Sequence, residues 1–185
     1  LIKELLPRKR IVRYHEYDKV NQAQLIILCS LNNLTEFERR YTIKLYNEII
    51  GGSANSILFE NVREKHSYCY YVNSSVKAYD NILLINSGVE QENIDKTIKL
   101  VRKTLKSIKE ENIISAKNTI ISGIKSASDE PIGIINTYFS KVLVGTPNEE
   151  ERIANFNKIT KEDIVKVSKK VTLHTILTLE SKEDE

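Results

Sequence analysis

Between positions 94 and 108 the aliphatic residues Ile94, Ile98, Val101, Leu105 and Ile108 recur at spacings of four, three, four and three. That period lines them along one face of an α-helix, predicted over 93–110. A face so uniformly apolar has to be buried against another layer of the same molecule. The rest of the chain therefore has to supply that layer, and it does so with strand-like runs. KRIVRYHEYDK at 9–19 is polar and roughly alternating, whereas QAQLIILCSL at 22–31 is apolar, which reads as an exposed edge strand and a buried central one with a turn at 18–21. Residues 68–77 and 81–89 read as two further strands joined by a short turn at Tyr79–Asn81, an antiparallel hairpin. A closing strand is predicted over 173–179.

Helices fill the remainder. Thr35 followed three residues later by Glu38 predicts a reciprocally capped helix running to about Ile50. Phe37, Tyr41, Leu45 and Ile49 form its core stripe, with Glu36, Arg39, Arg40 and Lys44 placed elsewhere on the surface. Gly51-Gly52 is expected to end it in a left-handed cap. Ser53 or Asn55 then opens a shorter helix through about Lys65. Beyond the long helix, Ile113, Ala116, Ile120 and Ile124 predict another over 113–127, with Lys117 and Lys125 away from the core. A third covers 132–144 after Asp129-Glu130-Pro131 and ends at Gly145-Thr146-Pro147, and Thr160 with Asp163 opens a last one bearing Ile164, Val167 and Val171. The order β-β-α-α-β-β-α-α-α-α-β lacks strict β-α-β alternation. It indicates an α+β fold, an antiparallel sheet with helices packed on one face, as a single domain over 1–185.

Composition narrows the function classes. With 28 basic and 25 acidic residues the formal charge is +3, no basis for nucleic-acid binding. The basic run Arg8-Lys9-Arg10 and the acidic stretch 180–185 read as solvated ends. No apolar run approaches the ~20 residues that cross a bilayer, and no signal peptide is visible. Two cysteines, Cys29 and Cys69, fit a reducing, cytoplasmic setting and a packing role. The chain starts at Leu1 and contains no Met, which reads as a piece of a longer protein.

Catalytic motifs are missing. A zinc peptidase site needs histidines at helical spacing and a carboxylate to activate water. His15 has Lys19 four residues on, His66 has Tyr70, and His174 has Thr178, so no metal site is expected. There is no nucleophile elbow, and Gly51-Gly52-Ser53 lacks the remaining residues of a phosphate loop.

One stretch is more specific. GGSANSILFENVREKHSYCYYVNS, from Gly51 to Ser74, places Gly51 and Gly52 before a helix carrying Ser56, Leu58, Phe59, Val62, Arg63 and Glu64, and then a strand with Tyr70. This resembles the pitrilysin and insulinase family of zinc metallopeptidases, in which a Gly-Gly turn precedes a helix of the pattern S-x-L-F-x-x-[VI]-R and a Tyr-bearing strand. The likeness extends to Gln22-Ala23-Gln24-Leu25, to 83–88 and to 160–164, covering about residues 10–180.

The resemblance implies a metal-free second domain of a longer subunit, most like the non-catalytic chain of bacterial two-subunit members. In such enzymes a zinc-bearing homologous domain or subunit faces the metal-free half across a chamber that holds the peptide substrate. No cofactor is expected in this domain, the zinc being on the partner. The Arg and Tyr that the family places near the scissile bond fall here on Arg63 and Tyr70, which can stabilise a developing oxyanion or anchor the peptide backbone. Tyr68, assigned to the same strand face as Tyr70 with Tyr71 opposite, is a secondary candidate. The bland alternatives are an Arg63 paired with Glu60 or Glu64 and a Tyr70 that is an ordinary strand aromatic. At the level of the whole molecule the alternative is a degenerate scaffold subunit, like the family-related core subunits of the mitochondrial respiratory complex.

Overall fold

A computed structural model describes residues 8–182 of the chain; Glu183-Asp184-Glu185 of the acidic end lie outside the described residues. Five strands, β1 (Val12–Asp18), β2 (Ala23–Leu31), β3 (Cys69–Lys77), β4 (Ile82–Val89) and β5 (Val171–Ser181), form one sheet in the order β1-β5-β2-β4-β3. Every neighbouring pair is antiparallel except β1 with β5, which is parallel. The α+β architecture expected from the sequence is thus present, with one parallel pair at the rim. β1 and β2 follow one another in sequence yet are not neighbours, because β5 lies between them. The burial contrast between them is the anticipated one: β2 alternates buried and half-buried residues, while β1 is exposed at nearly every position.

On one face of the sheet Leu25, Ile27, Leu83, Ile85 and Ile176 are almost fully buried, and they join helix residues such as Leu45, Ile49, Leu58, Val101 and Ile164 in one cluster. Ile26, Leu28, Leu84 and Leu177, on the alternate positions, are only half-buried. The first helix, α1, spans Glu38–Gly52, with wide π-type turns at Glu38–Thr42 and Glu48–Gly52 around an α-helical Ile43–Asn47. Its reciprocal cap forms as expected: Thr35 N–H donates to Glu38 Oε2 at 2.7 Å and Glu38 N–H to Thr35 Oγ1 at 3.2 Å. Tyr41, Leu45 and Ile49 are buried, whereas Phe37 at the start of the stripe is 40% exposed. Arg39 departs from its assignment to the surface. It is buried and donates to the Ala78 carbonyl and, at 2.6 Å, to Asn81 Oδ1, tying α1 to the β3–β4 turn.

The glycine pair also works differently from the expectation. Neither Gly51 nor Gly52 has a positive φ, and Ser53 is extended. The helix end approaches β3 so closely that a Cβ on Gly51 would lie 2.6 Å from Ser74 Oγ and 2.8 Å from the Ser74 nitrogen. A missing side chain, rather than a left-handed cap, is what the position requires. The second helix, α2 (Phe59–Lys65), is opened by Ser56, whose Oγ accepts the Phe59 N–H at 3.4 Å, instead of by Ser53 or Asn55.

The remaining helices are α3 (Ile94–Thr104), α4 (Glu110–Asp129), α5 (Pro131–Val144), α6 (Glu149–Lys158) and α7 (Lys161–Ser168). α3 stops well short of residue 110, and α6 has no counterpart in the sequence reading. Its signal is present in hindsight: Asn148 Oδ1 accepts the Glu151 N–H at 2.9 Å, and the first turn is Glu149-Glu150-Glu151. The α7 cap is the predicted Thr160–Asp163 pair.

α5 is turned inside out. It buries no residue; Gly133, Thr137 and Ser140 are its half-buried positions, while Ile132, Ile135, Tyr138, Phe139, Val142 and Leu143 are 61–70% exposed. Its C-terminal end is held by Arg40, which donates to the Val144 carbonyl at 2.9 Å and the Gly145 carbonyl at 3.1 Å.

Candidate functional site

The passage from α2 into β3 places the two singled-out side chains. α2 closes through Ser67 N–H donating to the Arg63 carbonyl and Tyr68 N–H to the Val62 carbonyl, both at 3.0 Å, with Ser67 itself at φ 52°. This tight return, a left-handed helix end built without glycine, brings the chain straight into the edge strand β3.

Arg63 is exposed, and its guanidinium carbon stands 4.8 Å from the centre of the Phe59 ring. No carboxylate pairs with it among the described residues; Glu60 instead pairs with Lys65. The neighbouring Cys69 thiol registers the Arg63 charge: burial pushes its pKa up, and the Ser87 hydroxyl and Arg63 act against that rise. Arg63 and the start of β3 therefore share one corner of the molecule.

Tyr70 is 55% exposed and donates its hydroxyl hydrogen to the Glu90 carboxylate at the end of β4. That hydrogen bond, reinforced by the Glu90 charge, raises the phenol pKa and keeps Tyr70 a proton donor.

The strand alternation assumed from sequence fails here for a local reason. β3 and β4 pair Cys69 with Val89 and then Tyr71 with Gly88, so Tyr70 is an extra, bulged residue. Cys69 and Val72 are buried on either side, and both Tyr70 and Tyr71 are exposed. Tyr71, assigned to the opposite face, is consequently the outward neighbour of Tyr70. Tyr68 precedes the strand, is half-buried against the core, and packs between the His66 ring at 5.2 Å and Lys96 Nζ at 5.7 Å.

Sequence reasoning did not single out Tyr71. Its hydroxyl donates to Gln24 Oε1 on β2, and its ring crosses Gly88, where a Cβ would meet Tyr71 Cε1 at 2.5 Å and Gln22 Nε2 at 2.6 Å. Gly88 is thus what lets an aromatic ring lie across β4. The Gln22-Ala23-Gln24 segment, noted only for its family likeness, supplies the partner. A bulge leaves no trace in residue periodicity, so only the pairing register reveals this arrangement.

Among the described residues, no group of three His, Cys, Asp or Glu side chains is placed to hold a metal ion. No helix of those residues is long and apolar enough to cross a membrane. The corner at α2 and β3 offers a guanidinium and a phenol, groups that bind and orient carbonyl oxygens.

Residues 3–118 match the family described as the peptidase M16 inactive domain. The chain belongs to the peptidase M16 family. Over 147 residues it is 28% identical to the Bacillus subtilis (strain 168) protein named "Probable inactive metalloprotease YmfF", an alignment covering 76% of this chain and 34% of that protein. In three dimensions it superposes on a conserved protein from Enterococcus faecalis V583 with a TM-score of 0.89 at 24% identity, covering 100% of this chain and 45% of that one. The peptidase M16 inactive domain from Pseudomonas fluorescens gives a TM-score of 0.76 at 18% identity, covering 95% and 45%. This M16 inactive domain thus spans less than half the length of these relatives.

Proposed function

We propose that this M16 inactive domain is the metal-free, peptide-binding part of a longer peptidase-like subunit, completing an active site whose zinc lies on another domain or subunit. The observation that carries the reading is Arg63: exposed, without a carboxylate partner among the described residues, and beside the bulge that turns Tyr70 outward. A guanidinium left unpaired can give its N–H donors to a peptide carbonyl. Tyr70 can exchange its acceptor Glu90 for another carbonyl, and its raised pKa keeps the proton available. When a zinc-held water attacks the peptide, negative charge grows on the carbonyl oxygen, and such donors favour the transition state over the ground state.

The zinc-bearing homologous domain is also the occupant we assign to the apolar face of α5. The relatives that this chain matches continue for more than half their length beyond it, and a face of six large apolar side chains is suited to a second packed layer. The cytoplasmic setting inferred from the two unpaired cysteines belongs to the same proposal.

The test is a reconstituted complex with the zinc-bearing partner. Arg63→Ala and Tyr70→Phe should each lower peptide turnover ~100-fold, equivalent to about 3 kcal/mol of transition-state stabilisation, with folding unchanged. Tyr68→Phe serves as the control. Turnover within about twofold of the parent in all three, while zinc-ligand variants of the partner abolish cleavage, would reject the active-site role and leave a scaffold domain.

A further inference from the structure

A second feature lies away from Arg63 and Tyr70. Helices α1, α4, α5 and α6 and the far half of β3 line an open cavity of about 760 Å³, within the size range of organic-ligand sites. Its existence follows from the inside-out packing of α5, whose small residues Gly133, Thr137 and Ser140 line it where bulky ones would fill it.

The charges around this cavity are unusual. Lys44 of α1 and Arg152 of α6 both line it, and among the described residues neither side chain makes an ion pair or hydrogen bond. Arg40, the third cation in the wall, is engaged by Glu36 and by the end of α5. Lys44 keeps contact with solvent, yet its pKa is pushed down, first by the protein packed around it and then by the Arg152 and Arg40 charges. The Arg152 and Arg40 charges are therefore held close enough to act on Lys44. On the same wall Glu48 Oε1 is buried and accepts no hydrogen bond, although Glu48 lies one helical turn from Lys44. The remaining lining is partly apolar, with Tyr41, Tyr79, Ile124 and Phe156.

A buried polar atom without a partner is costly and points to the group it lacks, as Glu48 Oε1 does. Lys44 is exposed and Arg152 half-buried, so their charges sit at the cavity wall within reach of solvent and of an entering anion. The cations call for an anion and Glu48 calls for a donor. The carboxylate in the wall disfavours a small polyanion, while the aromatic and aliphatic lining favours an organic body. We infer that the cavity binds a carboxylate carried on a peptide, with Lys44 and Arg152 receiving the carboxylate and Glu48 accepting an N–H of the same segment. That the carrier is a peptide rests on the function proposed above; the carboxylate chemistry does not.

Calorimetric titration of this chain at low salt with three hexapeptides of one sequence tests it: free C-terminal acid, C-terminal amide, and amide with one internal Glu. At least one carboxylate form should bind about tenfold more tightly than the plain amide, and which one identifies the source as chain end or side chain. Lys44→Gln and Arg152→Gln should each weaken binding about tenfold, with Lys44→Arg retaining it. Arg63→Ala and Tyr70→Phe should preserve the roughly tenfold preference for the carboxylate form over the plain amide, whatever they do to all three peptides alike, so failure of the active-site reading and failure of this one are separable. Equal binding of all three peptides, absence of binding, indifference to both cation variants, or equally tight binding of inorganic phosphate would each overturn the inference.

Discussion

Tyr70 and Glu90 form a donor–acceptor pair in which the carboxylate opposes loss of the phenolic proton. Replacing Glu90 by Gln should therefore lower the Tyr70 pKa toward that of an ordinary phenol, read by ultraviolet titration of the tyrosines against the parent. An unchanged curve would remove Glu90 as the cause. Cys29, in the centre of β2, carries the opposite kind of information. Burial pushes its pKa from 9.0 up to about 12, so the thiol form belongs to the folded state and the thiolate to the unfolded one. Its contribution is complete below pH 9 and is lost as pH rises through 12, on the order of 1.4 kcal/mol per pH unit. Denaturant unfolding at pH 8, 9 and 10 should show the onset of that decline, diminished in Cys29→Ala after its own packing loss is subtracted. At this scale the sequence was readable where period alone decides burial, as for Tyr41, Leu45 and Ile49. It misled where a polar residue has a private partner: Arg39 looked like surface because its acceptors, Ala78 and Asn81, are some forty residues away.

Among the elements, the end of α1 is the joint most sensitive to change. Gly51→Ala places a methyl group against the Ser74 backbone, which cannot withdraw without moving β3. Destabilisation of about 2–3 kcal/mol is expected, measured as a lowered denaturation midpoint at constant m-value. At the other end of α1, Glu38 accepts from Thr35 and, at 2.6 Å, from Lys170 Nζ between α7 and β5. Burial on its own would raise its pKa, but the bonds from Lys170 and Thr35 and the Lys170 charge outweigh it and bring the value down. The resulting stability is present above the ordinary carboxylate range and is lost as pH falls through the depressed value. Glu38→Gln should cost about 1–3 kcal/mol at pH 7 and progressively less in acid. Both joints sit where the sequence showed a signal, Thr35–Glu38 and Gly51-Gly52. The cap could be interpreted correctly from local chemistry, whereas the glycine pair could not, since its reason is a contact with residue 74. α6 is illegible to apolar period because its signal is polar, the Asn148 cap followed by three glutamates.

For the molecule as a whole, the exposed face of α5 governs behaviour in solution. Ile135→Lys with Phe139→Lys should reduce concentration-dependent self-association of the chain in light scattering and leave its circular dichroism unchanged, because neither residue is buried. The same double variant should fail to assemble with a zinc-bearing partner if that domain covers the helix; intact assembly would place the partner elsewhere. Fold class was legible because hairpins and long amphipathic helices exclude a purely parallel sheet. Strand order was not, since nothing in residues 12–31 announces that the final strand will separate them. That insertion has a kinetic meaning. Among the described residues β1 pairs with β5 alone, Val12 lying opposite Thr175, so its docking closes a loop over most of the described residues and has to follow synthesis of β5. With most of its side chains facing water, it gains little on arrival. β1 is a rim that attaches last and detaches first, and its amides should exchange with solvent through local opening long before those of β2 and β4, which release their hydrogens only when the whole sheet comes apart.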